Sequence, residues 1–242
     1  MPVQNLSVTT YMADVRNRLR PASFMEIAQE IATLGAQELH FDDSVTSAAC
    51  NAVWVLARMH VRFVRMPRRY QPIALSTWHK GIHSIFFLRD YQIRDEAGEV
   101  MVDATSSWVI MEKDQRRMLR PDGLTHIIPP DPQQPGHAIE TPAGKVVMPR
   151  DVTPEKVAAH TVRYSDVDSN HHVNNTRYTA WAMDCLPDEL TFKQDLREIE
   201  INFNREARPG ETVSLFHAED GGSHYVEGRV DEVPIFICKL TF

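Results

Sequence analysis

The same order of elements can be read twice along this chain of 242 residues, and that internal repeat restricts the fold more than any other feature. In the first copy a helix is expected behind Ser23 as N-cap, with Phe24, Ile27, Ala28, Ile31 and Leu34 on one face. Strand-like segments follow at 53–63, 73–79, 84–94 and 100–111, the last two joined by the turn Asp95-Glu96-Ala97-Gly98. Val53 to Phe63 alternates with apolar residues at 53, 55, 57, 59, 61 and 63, which puts Arg58, His60 and Arg62 on an opposite, basic face. The second copy reads as a strand near 158–164, a polar turn, a helix from Asn174 to Cys185, and strands near 197–206, 212–219, 223–230 and 234–242. Phe63 and Phe203, Arg65 and Arg205, Arg68 and Arg208, Ile73 and Val213, and Leu75 and Leu215 superpose at an offset of 140, whereas the helices align nearer 152. That difference assigns the first copy a longer connection from helix to strand, around Phe41 to Ala49.

Between the copies, 8 of the 15 prolines fall within residues 121–154, where neither a helical nor an alternating pattern can be sustained. The expected division is therefore 1–125, a proline-rich linker at 126–155 lying extended across the surface, and 156–242. One long helix wrapped by a curved antiparallel sheet is the hotdog architecture, so the fold class expected is α+β, a tandem or double hotdog. Joining the two sheets into one would cover edges that each half leaves exposed.

Composition excludes several functions. A net charge of -7, from 26 Lys+Arg against 33 Asp+Glu, provides no global basic field for nucleic acid or anionic membrane. The charge is uneven: residues 1–125 hold 15 basic and 14 acidic side chains, residues 126–242 hold 11 and 19. No apolar run reaches the ~18 residues of a membrane span, and the N-terminus does not read as a leader. Cys50, Cys185 and Cys238 are too few and too scattered for a disulfide framework. These features together predict a cytoplasmic protein.

The densest polar cluster runs from Tyr164 to Asn175 (YSDVDSNHHVNN), between a strand and a helix. Helix capping accounts for Asn174 or Asn175, but not for two Asp, one Asn and two adjacent His ahead of a helix start. Unsatisfied N–H groups at that start suit an oxyanion or a polarised carbonyl. Asp166-x-Asp168-x-Asn170 imitates a calcium loop, yet His171 stands where Gly is required and Arg177 where Glu is, so no metal is expected. A second polar feature is Asn204-Arg205-Glu206, where Glu206 is on the face opposite Ile201 and Phe203 unless a bulge re-aims it. The equivalent of Glu206 in the first copy is Met66, and the counterpart of the Asp/Asn/His cluster, Asp14 to Arg20, has no His. One catalytic half and one half adapted to another task are expected.

Asp168-Ser169-Asn170-His171-His172-Val173-Asn174-Asn175-Thr176-Arg177-Tyr178 closely resembles the D-x-N-x-H-V-N-N-x-x-Y segment of the acyl-acyl carrier protein thioesterases, which release free fatty acids. Asn51 to Met59 (NAVWVLARM), Arg65-Met66-Pro67-Arg68, Thr77-Trp78 and Leu88-Arg89-Asp90-Tyr91 are similar to further segments of that family. The resemblance covers the chain from about Tyr11 to Phe242. It implies hydrolysis of an acyl-acyl carrier protein with no cofactor, and a catalytic set at Asp168, Asn170, His172 and Glu206. Glu206 or Asp168 would handle the attacking water, Asn170 and His172 the thioester carbonyl, and helix-start N–H groups the oxyanion. The position after the glutamate, commonly Cys in plant members, is Ala207, which excludes a cysteine nucleophile there.

The resemblance also places the acyl chain in the first half, against Met25, Trp54, Leu56 and Met59, with Asn174 and Asn175 as further substrate contacts. Carrier protein is acidic, so docking is expected at Arg58, Arg62, Arg65, Arg68 and Arg69, or at Arg116, Arg117 and Arg120. An acyl-CoA thioesterase and a non-catalytic acyl-thioester sensor are the competing readings on this fold. The tandem already contains the two-hotdog unit, so both monomer and homodimer are compatible with it.

Overall fold

The computed structural model describes residues 1–124, 127, 130–133 and 136–242; the expected boundary at residues 125 and 126, with Pro129 and Pro135 of the proline run, lies outside the described residues. The first copy contains β1 (Val3–Ser7), α1 (Pro21–Glu38), α2 (Asp43–Cys50), β2 (Ala52–Phe63), β3 (Pro72–His83), β4 (Phe86–Arg94), β5 (Val100–Glu112) and the short β6 (Met118–Leu119). The second contains β7 (Glu155–Thr161), α3 (Asn175–Asp184), α4 (Asp188–Thr191), β8 (Glu198–Phe203), β9 (Thr212–Asp220), β10 (Ser223–Val230) and β11 (Val233–Thr241). Among the described residues the strands form one antiparallel sheet in the order β1, β3, β4, β5, β2, β8, β11, β10, β9, β7, with β6 beside β5. The fold is the expected α+β tandem hotdog.

The two copies meet at β2 and β8, where His60 pairs with Glu200, flanked by Met59 with Ile201 and Val61 with Ile199. His60 and Glu200 are equivalent positions at the offset of 140, so the junction is two-fold symmetric about that pair. The inner face packs on α1 and α3 in one core that draws on both copies, including Phe24, Ile31, Met59 and Val61 with Tyr178, Trp181, Ile199 and Phe236.

Several local expectations are corrected. Helix α1 starts at Pro21, whose fixed φ suits the first helical position, and Arg20 precedes it without a side-chain cap. Ser23 is therefore inside the helix, and it is buried. The connection around Phe41 to Ala49 contains α2, capped by Asp42, which accepts the N–H groups of Ser44 and Val45, and closed by Asn51 in the left-handed region at φ 49. Strand β1 was not read from hydropathy, although the helix offset of 152 maps β7 back onto it. A β-bulge between Leu56 and Arg58 breaks the alternation of β2. Through it, Trp54 and Leu56, not Val53 and Val55, share the inner face with Met59, Val61 and Phe63.

The outer face of β2, expected to be basic, is covered in part, with Arg62 exposed and Arg58 and His60 not. His60 is 8% exposed and its Nε2 lies 2.6 Å from Glu198 Oε1. Residues 137–146 cross this face as an extended strap. Ala138 N–H donates to Asp90 Oδ2 at 2.8 Å, buried Lys80 donates from Nζ to the Ile139 carbonyl, and Lys80 pairs with Asp90 at 3.3 Å. Further along, Asn202 accepts Val146 N–H at 2.7 Å and donates to the Gly144 carbonyl at 3.0 Å. Both Asn202 and Val146 are buried, so Asn202→Ala strands a donor out of water, which costs about 1–3 kcal/mol. Urea unfolding should show the midpoint falling accordingly with its slope unchanged.

Candidate active site

The segment between β7 and α3 is shaped by its own polar side chains. Asp166, 1% exposed, accepts His160 Nε2 at 2.8 Å, the Arg163 N–H at 2.9 Å and Arg177 Nε at 3.2 Å. Burial pushes its carboxyl up, and these partners outweigh that, holding it below the usual carboxylate range. Asp168 accepts the Asn170 N–H at 2.9 Å on one oxygen and Asn174 Nδ2 at 3.3 Å on the other. The loop closes through Asp168 N–H to the His172 carbonyl at 3.0 Å, with His171 in the left-handed region at φ 62. His171 is thereby exposed and His172 half-buried. Asn174 is the N-cap of α3 and accepts the N–H and hydroxyl of Thr176 at 3.0 and 2.8 Å.

Glu206 comes to the same place from beyond the end of β8, so strand parity does not set its direction. Its Oε2 accepts Arg116 Nη2 at 2.7 Å and lies 3.4 Å from His172 Nε2. The following residue fixes the backbone: Ala207, fully buried, donates its N–H to the Tyr178 hydroxyl at 3.0 Å and accepts the Val173 N–H at 3.0 Å. Tyr178 is stacked on Phe236 with ring centres 5.0 Å apart, and burial pushes its hydroxyl up to about 12, so it stays protonated.

Asp168, Asn170, His172, Asn175 and Glu206 line a cavity of about 280 Å³ whose opposite wall, Gln29, Thr33, Trp54, Leu56, Trp108 and Arg116, belongs to the first copy. Thr33, Asp43, Trp54 and Trp108 also border a second cavity of about 240 Å³ beneath α1. Its walls include Ala32, Ala36, Leu39, Phe41 and Phe87, with Phe41, Trp54 and Phe87 packed ring against ring at 4.9 to 5.5 Å. Polar side chains complete its lining: His79 and Arg89 from the sheet, and Gln37, Asp42, Asp43 and Ser44 from the end of α1 and the start of α2. A polar mouth thus adjoins an apolar pocket.

The acyl-ACP thioesterase N-terminal domain model matches residues 3–125, and the C-terminal domain model of the same family matches residues 150–231. The chain belongs to the acyl-ACP thioesterase family. An oleoyl-acyl carrier protein thioesterase of Arabidopsis thaliana is 27% identical over 85% of this chain and 59% of its own length. A palmitoyl-acyl carrier protein thioesterase of Cuphea hookeriana is 27% identical over 92% of this chain and 56% of its own. The chain therefore spans somewhat under two thirds of these curated relatives, which are named as chloroplastic. An acyl-ACP thioesterase from Bacteroides thetaiotaomicron superposes with a TM-score of 0.86 at 24% identity, covering 100% of this chain and 97% of that one. The 12:0-ACP thioesterase from Umbellularia californica gives 0.85 at 21%, covering 99% and 96%. No helix among the described residues is long and apolar enough to cross a membrane.

In this acyl-ACP thioesterase family member the expected residues divide by position. Asp168, Asn170, His172 and Glu206 come together, Trp54 borders both cavities, and Leu56 and Asn175 are at the mouth. Met25 and Met59 line neither cavity: they are 4% and 2% exposed within the core, Met25 in the first turns of α1 and Met59 beyond the β2 bulge. Asn174 is occupied as a cap. Arg116, expected on a docking surface, is an ion-pair partner of Glu206. Arg58 lies over the Phe86 ring at 4.9 Å, and Arg62, Arg65 and Arg68 pair with Glu198, Asp95 and Asp195 at 3.6, 2.5 and 3.9 Å. Arg69 covers Tyr70 at 4.9 Å. Arg65 lies past the end of β2, whose run from Leu56 at the mouth to Phe63 alone spans roughly 23 Å at about 3.3 Å per strand residue, which separates the Arg65 to Arg69 group from the site's entrance. Sequence reasoning missed Tyr178, Phe41, Phe87, Trp108, His79 and Arg89.

Two expectations follow for stability. Tyr178→Phe leaves the buried Ala207 N–H without an acceptor and should cost about 1–3 kcal/mol in urea unfolding. Burial, reinforced by Arg89, pushes His79 down to about 4 from its ordinary 6.5. The unfolded chain then takes up a proton below pH 6.5 that the folded chain refuses until about 4. Stability is lost across that window as pH falls, by up to about 3 kcal/mol. His79→Leu should lack that share of the acid sensitivity when unfolding is measured at a series of pH values.

Proposed function

We propose that this protein hydrolyses the thioester of an acyl-acyl carrier protein to a free fatty acid and the carrier thiol. The observation that supports this best is the mouth where Asp168, Asn170, His172 and Glu206 face Arg116 and Trp54, adjoining an apolar cavity able to take an acyl tail. Asp168 spends both carboxylate oxygens inside its own loop, whereas Glu206 engages Arg116 and His172 through Oε2 alone. We therefore assign Glu206 as the base and Asp168 as a positioning residue. Glu206 takes a proton from water as the water oxygen attacks the thioester carbon, while Asn170 and His172 hold the carbonyl. The carbonyl electron pair moves to oxygen. Of the helix-start donors, the Thr176 N–H is already bonded to Asn174, which leaves the Asn175 N–H to meet the oxyanion. Collapse breaks the C–S bond, and the proton held by Glu206 passes to the leaving thiolate.

A cysteine route is disfavoured by position and by acidity. None of the three cysteines lines the mouth, and burial pushes the thiols of Cys50, Cys185 and Cys238 up, Cys185 to about 11. No cofactor or metal enters this reading. The acidic carrier docks, in our reading, on exposed Arg117 and Arg120, which flank the strand pair next to Arg116. The unpaired thiols suit a reducing compartment, and we assign the protein to the cytoplasm, which fractionation of the source cells checks.

Kinetics on matched substrates tests the whole. Carrier-linked thioesters should exceed CoA thioesters of the same acyl chain in kcat/KM, and a preference for CoA would transfer the protein to the acyl-CoA thioesterases. Glu206→Gln and His172→Ala should each lower kcat by about 10²- to 10⁴-fold. Unchanged turnover in Asp168→Ala, Asn170→Ala and His172→Ala would return the protein to the non-catalytic sensors. Arg117→Glu with Arg120→Glu should lower kcat/KM for the carrier substrate while sparing a small synthetic thioester.

A further inference from the structure

The far end of the apolar cavity is polar. Antiparallel pairing sets Tyr91 opposite Thr77 and Arg89 opposite His79, so the inner face of β4 reads Phe87, Arg89, Tyr91, Ile93, with a cation among apolar groups. Arg89 is 8% exposed and, among the described residues, has no carboxylate at ion-pair distance, although Glu38 attracts it from further off, and makes one side-chain hydrogen bond, from Nη1 to Thr77 Oγ1 at 3.3 Å. His79 is 5% exposed and its Nε2 is buried without a hydrogen-bond partner among the described residues. The guanidinium reaches its place only because residue 35 of α1 is glycine: a Cβ there would stand 2.4 Å from Nη1. Three elements thus combine to hold a charged group and a neutral imidazole at one cavity, and a buried cation without a counterion is costly unless something anionic or strongly accepting meets it.

We infer that the acyl chain bound here carries an oxygen function at its far end, a carboxylate above all, received by Arg89 with His79. This rests on the proposed thioesterase reading and names its substrate class. The guanidinium offers a carboxylate two parallel N–H donors, and His79 offers a further hydrogen bond. A methyl terminus in the same place would shield Arg89 from water and return nothing. Hydrolysis would release a dicarboxylic acid and the carrier thiol.

The experiment compares carrier thioesters of equal length ending in methyl, hydroxyl or carboxylate, over a series from short to long. The wild-type protein should favour the carboxylate end over methyl by tenfold or more in kcat/KM at the best length, with hydroxyl between. Arg89→Met, similar in length and uncharged, should abolish that preference, read as the ratio of kcat/KM for the carboxylate-ended over the methyl-ended chain, mainly through a raised KM for the carboxylate-ended one. Gly35→Ala keeps the charge but displaces it, and should lower the preference in the same direction, which covers the case of an Arg89 variant that does not fold. Equal or better wild-type turnover of the methyl-ended chain overturns this inference alone, as does a preference that survives both variants. If no carrier thioester is hydrolysed, the thioesterase reading itself fails. The cavity is then judged by calorimetry with free dicarboxylic against monocarboxylic acids, where no difference in affinity overturns it.

Discussion

The backbone ladder between β2 and β8 is the constraint on which the rest depends. Each half alone would present this strand as an exposed edge with a row of unpaired N–H and C=O groups. Pairing them removes both edges and sets α1 against α3 over one inner face. It also fixes which residues can meet across the junction. Because His60 and Glu200 pair at equivalent positions, the walls of any cleft near one helix start must come from the other half. The loop before α3 accordingly meets Gln29, Trp54 and Arg116 of the first copy. The candidate catalytic set comes from the second copy, but the cavity it lines is shared.

The same symmetry generates a second cleft, of about 530 Å³, where the start of α1 faces Arg177, Met183 and Asp184 of the second copy. At the helix offset Arg18 and Arg20 stand where Asn170 and His172 stand in the candidate site, and at the strand offset Met66 replaces Glu206. Arg18 is not available for chemistry there. It is 4% exposed, donates to the carbonyls of Thr191 and Gln194, and pairs with Asp14 and Asp195 at 2.6 and 3.0 Å. One cleft of the pair became a latch between the halves, with Asp14 holding Arg18 much as Asp166 holds Arg177. Asp166 is thus the structural carboxylate of its loop, which left Asp168 and Glu206 to the mouth.

What the sequence revealed follows from the range of each interaction. Alternation in β3 to β5 and β8 to β11 reports a local pattern of burial, and the repeat offset supplied the correspondence between halves without any contact being known. The β2 bulge defeated that reading, because one extra residue at Ala57 reverses the facing of Trp54 and Leu56 and leaves no mark in composition. The basic face expected of β2 is reduced for a different reason: the strap at 137–146 crosses it at Arg58 while Arg62 stays exposed, and only tertiary structure brings Asn202 to Val146. In the site, Asp168, Asn170 and His172 are close in sequence and were seen together. Arg116 and Tyr178 act on Glu206 and Ala207 from 90 and 29 residues away, and Arg89 is legible only as part of a family-like segment, with nothing local to put it at a cavity.

The cavity explains the mismatch between the two repeat offsets. At the helix offset Asp184, the end of α3, maps onto Ala32, so α1 runs on from there to Glu38, about 9 Å at 1.5 Å per residue. That extension carries Gly35 and Ala36, small side chains on the face toward the sheet, and it delivers the chain to Phe41 and α2. Aromatic packing of Phe41 with Trp54 and Phe87 then closes the end of the sheet, where the second copy, lacking the extension and with only the single turn of α4 in the place of α2, has its α3 ending at Asp184. Small residues on an over-long helix leave volume beneath it, and a lid of aromatic side chains keeps that volume from collapsing. The insertion that reads in sequence as a longer connection is in physical terms the roof and end wall of a pocket. The pocket exists in one half because only that half has the residues to enclose it.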